Sequence, residues 1–235
     1  MFTINENYKA FSKIIISDYP YKINHYFADK YVIKLFTQIY NDLLKQHSKI
    51  RDKFYSRGNK GFLDLAFMDH FLILSYRLSF LFSKEKKYTE LANAIFYSSR
   101  LRTGCNIFYR VNINKYFYPI HPFATIISPH AKYGKGLQIY HNVTIGHYTL
   151  EDPVRSSSSV IAKKRAKLKI GDWVIIFANS TVMGNCVIGD NVILGLGTKI
   201  INKNVPSNTT VMTTENGKTI FMPNKNNNKK KFFKL

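Results

Sequence analysis

From Leu168 to Ile201 an aliphatic side chain returns at every sixth position: Ile170, Ile176, Val182, Ile188, Leu194 and Ile200. A set of smaller residues runs two positions ahead of each: Leu168, Val174, Ser180, Cys186, Val192 and Thr198. A period of six is not the helical 3.6, although it is a multiple of the strand's two. It predicts a hexapeptide β-helix, in which each six-residue piece forms one side of a triangular coil and points its aliphatic residue inward. Three pieces close a turn, so stacked turns bury a continuous core that no single repeat could bury.

Traced backwards, Ile145, Ile139, Tyr133 and Ile127 keep the phase, and His121 falls on it as well. The step from Ile145 to Ile170 is not a multiple of six, so something between them must leave the prism. The stretch from His147 to Ala166 is polar, Ser-rich and basic. It predicts an extended loop over 147–167, and long loops in compact repeats are commonly functional. After Ile201 the repeat stops near Pro206, and 211–222 is expected to add a short strand or capping turn.

The N-terminal pattern is different. Tyr31 to Leu44 places Val32, Leu35, Phe36, Ile39 and Leu43 on one helical face, Leu63 to Phe82 is periodic but more apolar, and Glu90 to Tyr97 gives a further helix. Gly58, Asn59 and Gly61 mark a break between helices. The fold class expected is therefore α+β: a helical domain over 1–102, a parallel β-helix over 103–220 with its loop at 147–167, and a basic, disordered tail over 221–235.

Composition narrows the partners. Thirty-five Lys and Arg against 14 Asp and Glu give a formal charge of +21, which favours anionic partners or else a solvated lysine surface with no particular partner. No base-reading motif is present, so nucleic acid is not the expected partner. Lys229 to Lys231 beside Phe232 and Phe233 offer at most a weak membrane-surface contact. Asp64, Asp69, His70 and Arg77 interrupt the most apolar stretch, which argues for a buried helix over a membrane span. The N-terminus lacks an apolar signal region, and Cys186 belongs to the inward series as a buried thiol, so the cytoplasm is expected.

Four histidines, His121, His130, His141 and His147, fall close together. No H-x-x-x-H or C-x-x-C spacing accompanies them, so no metal is expected. A general base is the better reading, because a neutral imidazole can take a hydroxyl proton at ordinary pH. His121 stands out: an imidazole on the inward phase is either displaced outward at a corner, helped by Pro122, or buried at a cost.

The run from Ile120 through H-P-F-A-T-I-I-S-P-H to V-T-I-G at Gly146 resembles the catalytic block of serine O-acetyltransferases and their relatives in polysaccharide gene clusters. Asp69-His-Phe-Leu-Ile-Leu-Ser-Tyr-Arg is similar to that family's last long N-terminal helix. The resemblance covers about residues 65 to 205. It implies a left-handed β-helix, a trimer or a dimer of trimers, and acetyl-CoA as donor.

Carried over, the catalytic histidine falls on His121 and its supporting aspartate on Asn106, a departure, since an amide oxygen can orient the ring but cannot balance its charge. Glu151 or Asp152 of the loop could substitute. Gly146 and His147 match the backbone N–H groups that stabilise the oxyanion. Ala178, Gly195, Leu196 and Gly197 match the coenzyme contacts, with Lys199 and Lys203 near its phosphates. Serine-specific members carry an acidic residue before the histidine, where this chain has Ile120, and an Arg-His pair where it has Ala166 and Lys167, with Arg165 adjacent. His141, Arg165 and Lys167 are taken as acceptor contacts. The expected activity is direct acetyl transfer from acetyl-CoA to a sugar hydroxyl of a capsular or lipopolysaccharide glycan, an acidic polysaccharide suiting the charge. A serine acceptor, or a basic binding module without activity, are the alternatives.

Overall fold

The computed structural model describes residues 3–146 and 168–235. It divides into two compact units: residues 1–110 with 121–124 and 230–235, and residues 111–120 with 125–229.

The first unit is built on four helices, α1 (Ile4–Asp18), α2 (Lys30–His47), α3 (Met68–Phe82) and α4 (Thr89–Thr103). Helix α1 starts on a capping box. The Thr3 hydroxyl accepts the Glu6 N–H at 3.2 Å while the Glu6 carboxylate accepts the Thr3 N–H at 2.6 Å, so two orphan donors are satisfied. Asp29 caps α2 by accepting the Tyr31 N–H at 2.8 Å. Phe11 and Ile15 of α1 and Val32, Phe36 and Leu43 of α2 are buried, and α3 is buried nearly all round, as its apolar run requires. Asp18 of α1 takes a two-point grip from the Arg102 guanidinium of α4, at 2.6 and 2.8 Å. Where the sequence predicts only a break, Ser56–Arg57 (β1) and Lys60–Gly61 (β2) form a small antiparallel hairpin, with Gly58 at φ +62°. Asn106–Ile107 adds a short strand, β3.

The second unit is a coil of short strands: β4 (Tyr118–Pro119), β5 (Ile126–Ile127), β6 (Ala131–Tyr133), β7 (Gln138–Ile139), β8 (Thr144–Gly146), β9 (Leu168–Ile170), β10 (Ile175–Ile176), β11 (Thr181–Met183), β12 (Val187–Ile188), β13 (Ile193–Leu194) and β14 (Lys199–Ile201). They pair in parallel within three faces, β4-β7-β10-β13, β5-β8-β11-β14 and β6-β9-β12. Ile176 faces Leu194, Val182 faces Ile200 and Ile170 faces Ile188, each a step of eighteen. The inward aliphatics from Ile139 to Ile200 are buried, each contributing roughly 1.5–3 kcal/mol.

The polar members of the smaller series are satisfied inside. The Ser180 hydroxyl donates to the Gly195 carbonyl at 2.9 Å, and the Cys186 thiol donates to the Met183 carbonyl at 3.0 Å. Corners bend through left-handed residues, Asn142, Asn179 and Asn191 among them, and Asn142 donates to the Asn179 side chain at 2.8 Å.

Two steps break the rule of eighteen. Ile145 faces Val182, a step of 37 and nineteen more than one turn, and the expected loop at 147–167 lies outside the described residues. Pro119 faces Ile139, a step of twenty, whereas Ile126 faces Thr144 at eighteen. Two extra residues therefore sit between Pro119 and Ile126, and the inward place belongs to Pro119, not to His121. That corrects the phase read from the sequence.

The tail also differs from expectation. Thr219–Pro223 (β16) pairs antiparallel with Thr209–Thr213 (β15), and Asn228–Phe232 forms a short helix, α5. Within the first unit Phe233 is only 2% exposed and bridges Ile50, and Lys234 donates to the Ser56 hydroxyl at 3.0 Å. A segment rich in Lys and Asn is held here by one buried phenylalanine, Phe233, and by backbone bonds, the Arg51 N–H to the Phe232 carbonyl and the Lys234 N–H to the Lys49 carbonyl.

Candidate active site

His121 sits in the corner that the two extra residues enlarge. Its φ is +48°, left-handed for a residue with a Cβ, and its side chain is exposed. Such backbone is kept only where its surroundings hold it. Three contacts hold this one. The Phe123 N–H donates to the His121 carbonyl at 2.8 Å, closing a tight turn over Pro122. The Cys105 thiol donates to the Pro122 carbonyl. Phe123 lies against Gly104, the left-handed residue ending α4 at φ +65°, where a Cβ would come within 3.0 Å of the ring.

A carboxylate sits under the same corner. Asp69, in the first turn of α3, accepts the backbone N–H of His121, lies near enough to its imidazole for the charges to interact, and accepts from the Tyr55 hydroxyl at 3.4 Å. Burial pushes the Asp69 carboxyl above the usual carboxylate range, and the His121 charge, the His121 N–H and Tyr55 oppose that rise. Behind it, the buried rings of His47 and His70 lie 5.2 Å apart and both touch Tyr55. Burial holds His47 down at about 3 and His70 at about 4, so both are neutral at ordinary pH.

Asn106 is half-buried on β3, and among the described residues no hydrogen bond joins it to the His121 ring. Local pattern in the sequence does not single out Asp69 as a neighbour of His121. Its signal was weak, a charge at the start of an apolar helix, 52 positions from the histidine it touches.

The remaining candidates lie in the second unit. Gly195 carries the coil ladder, donating to the Val211 carbonyl at 2.8 Å, while Leu196 beside it is 67% exposed. Gly197 has φ +67°, donates to the Ala178 carbonyl at 2.9 Å, and opens onto free space, since a Cβ there would meet nothing within 4 Å. Ala178 is buried, and Lys199 and Lys203 are exposed, Lys203 lying 4.5 Å from the centre of the Phe221 ring. An exposed apolar side chain between two glycines, followed by two cations, fits a ligand with an apolar arm and phosphates.

Gly146 ends β8 with its carbonyl accepting from Gly184 at 3.1 Å. His141 is exposed at the Asn142 corner, its carbonyl accepting the Asn179 N–H at 3.2 Å. His147, Glu151, Asp152, Arg165 and Lys167 lie outside the described residues. Among the described residues no group of three His, Cys, Asp or Glu side chains is placed to hold a metal ion, and no helix is long and apolar enough to cross a membrane.

No family model matches the chain. A serine acetyltransferase of Staphylococcus xylosus is 32% identical over 131 residues, 55% of this chain and 54% of that protein. The chain thus spans about half the length of the curated relatives it matches. Two solved structures are similar over most of the chain. A serine acetyltransferase of Neisseria gonorrhoeae has a TM-score of 0.67 at 19% identity, over 97% of this chain and 82% of its own. A serine acetyltransferase from Brucella abortus in complex with coenzyme A has 0.63 at 17%, over 92% and 82%. At such identities the structures speak for the fold alone. The chain carries the fold of serine acetyltransferases, a helical unit followed by a left-handed hexapeptide-repeat β-helix, and resembles them in sequence over its matched half.

Proposed function

We propose that the chain is an O-acetyltransferase that uses acetyl-CoA and takes His121 as its general base. The observation that carries this reading is one residue: an exposed imidazole, turned out of the coil on left-handed backbone and backed by a carboxylate. An imidazole held that way can accept a proton from a hydroxyl and return it. His121 takes the acceptor's proton as its oxygen bonds to the thioester carbon, the carbon–sulfur bond breaks, and the departing thiolate receives that proton. The thioester supplies an activated acyl carbon, so no covalent acetyl-enzyme is needed. Ala178, Gly195, Leu196, Gly197, Lys199 and Lys203 are the coenzyme contacts this reading requires, and Gly146 with the residue after it the oxyanion donors. A cytoplasmic location and a trimeric assembly go with it.

The acceptor that the relatives' names favour is the hydroxyl of serine, ahead of the glycan hydroxyl expected from the sequence. The glycan reading keeps one specific support: Ile120, an apolar side chain, precedes His121 where serine-specific relatives place an acid. Thiol release from acetyl-CoA decides between them, with free L-serine in one arm and a panel of surface glycans in the other. Rapid, saturable release with L-serine is expected. Release with glycans alone would transfer the acceptor to the second reading, and release with neither would overturn the enzymatic one.

A further inference from the structure

We propose that the helical unit carries a docking surface for an anionic lipid bilayer, built where residues 230–235 lie against the segment that leads into the β1–β2 hairpin. This surface serves binding, not chemistry, and does not rest on the reading of His121.

The surface begins with charge. Residues 49–60 hold five cations, Lys49, Arg51, Lys53, Arg57 and Lys60, and one acidic side chain, Asp52. All five cations are exposed. Asp52 is turned to the backbone, its carboxylate accepting the Phe54 N–H at 2.8 Å. Residues 230–235 then add to the same place. The Arg51 N–H donates to the Phe232 carbonyl at 2.9 Å, and the Arg51 side chain donates to the Lys230 and Phe233 carbonyls at 3.1 Å each. Lys234 donates to the Ser56 hydroxyl at 3.0 Å. Lys230 and Lys231, both exposed, are thereby fixed beside the basic segment. Like charges gathered in this way repel one another, so the cluster opposes folding and suits an anionic partner.

Apolar side chains mark that partner as a bilayer. Phe54 and Phe67 are 49% and 38% exposed, with ring centres 5.7 Å apart, and Met68 is exposed beside them. The cations interleave with these rings. Lys53 lies 5.4 Å from the centre of Phe54, and Arg57 lies 4.2 Å from that of Phe62, whose ring is 6.2 Å from Phe67. Apolar side chains set among lysine and arginine can enter the headgroup boundary while the cations meet lipid phosphates. Nucleic acid fits less well, because the Phe54 and Phe67 rings are tilted 55° to each other and offer no parallel faces for bases. The structure also changes which aromatics serve. Phe233 is buried and cannot insert, so residues 230–235 supply charge and residues 54–68 the apolar part.

The test is co-sedimentation of the full chain with vesicles of phosphatidylcholine, alone or mixed with phosphatidylglycerol, at low and high salt. We expect binding to the anionic vesicles only, weakening as salt rises. Lys53→Gln with Arg57→Gln should weaken it about thirtyfold, each cation near the surface being worth about fivefold. Phe54→Ser should weaken it at least about threefold while leaving the salt dependence unchanged. Lys9→Gln with Lys13→Gln, exposed on α1, removes the same charge elsewhere and should change binding less than about twofold. Every position changed is exposed, and thermal melts check that each variant is folded. No binding to anionic vesicles, equal binding to phosphatidylcholine, unchanged binding in Phe54→Ser, or an equal loss in the α1 control would overturn the proposal. Tighter binding to a duplex oligonucleotide than to the vesicles would also overturn it and assign the surface to nucleic acid.

Discussion

At the scale of single residues, a histidine sits at φ +48°. Left-handed backbone costs a residue with a Cβ about 1–3 kcal/mol, so something must offset it. Here the offset is local: one turn-closing bond, one thiol bond to Pro122 and one carboxylate beneath the N–H. The same contacts give a prediction for Asn106. Since no bond joins it to the ring among the described residues, Asn106→Ala should leave kcat within about twofold. A fall of more than about tenfold would return the supporting role to position 106. The sequence singles out His121 by placing it on the inward phase, and the structure corrects that phase. Of the two outcomes expected for it, outward displacement or burial, the first holds, and the two extra residues that cause it look like ordinary coil in the sequence. Asp69 was not legible as a partner at all, since nothing in local pattern reports a contact 52 positions away.

At the scale of elements, the β-helix was readable because its period is enforced on every turn. An inward apolar residue at each sixth place fills the prism, so the signal repeats from Ile127 to Ile145 and again from Ile170 to Ile200. Polar residues in the smaller series did not spoil it, because Ser180 and Cys186 find carbonyl partners inside. The tail shows the opposite case. Its composition reads as unstructured, yet Phe233 is buried and its neighbours bond to Lys49 and Arg51 in the first unit. One buried aromatic residue in a polar run carries little weight in a compositional reading and a good deal in a packed one. Phe233→Ala should therefore lower the stability of the chain by about 3 kcal/mol in urea unfolding. A loss below about 0.5 kcal/mol would mean that the tail is not part of the core.

At the scale of the whole molecule, pH dependence should reflect two buried neutral histidines. His47 is held at about 3 and His70 at about 4 in the folded chain, against about 6.5 when unfolded. Between those values the unfolded chain binds more protons, so stability falls as the pH drops from about 6.5 toward 4. On going from pH 7 to pH 5 the pair should cost on the order of 4 kcal/mol, about 2 for each ring, visible as a lower urea midpoint. A midpoint that does not move would contradict the burial of both rings.

The claim that everything else serves is that the imidazole at the enlarged corner moves the proton. The most direct measurement is the turnover of His121→Ala at saturating acetyl-CoA, with binding of the coenzyme followed by calorimetry on the same protein. If His121 is the base, kcat falls at least about a hundredfold with coenzyme affinity retained. Turnover close to wild type would contradict it.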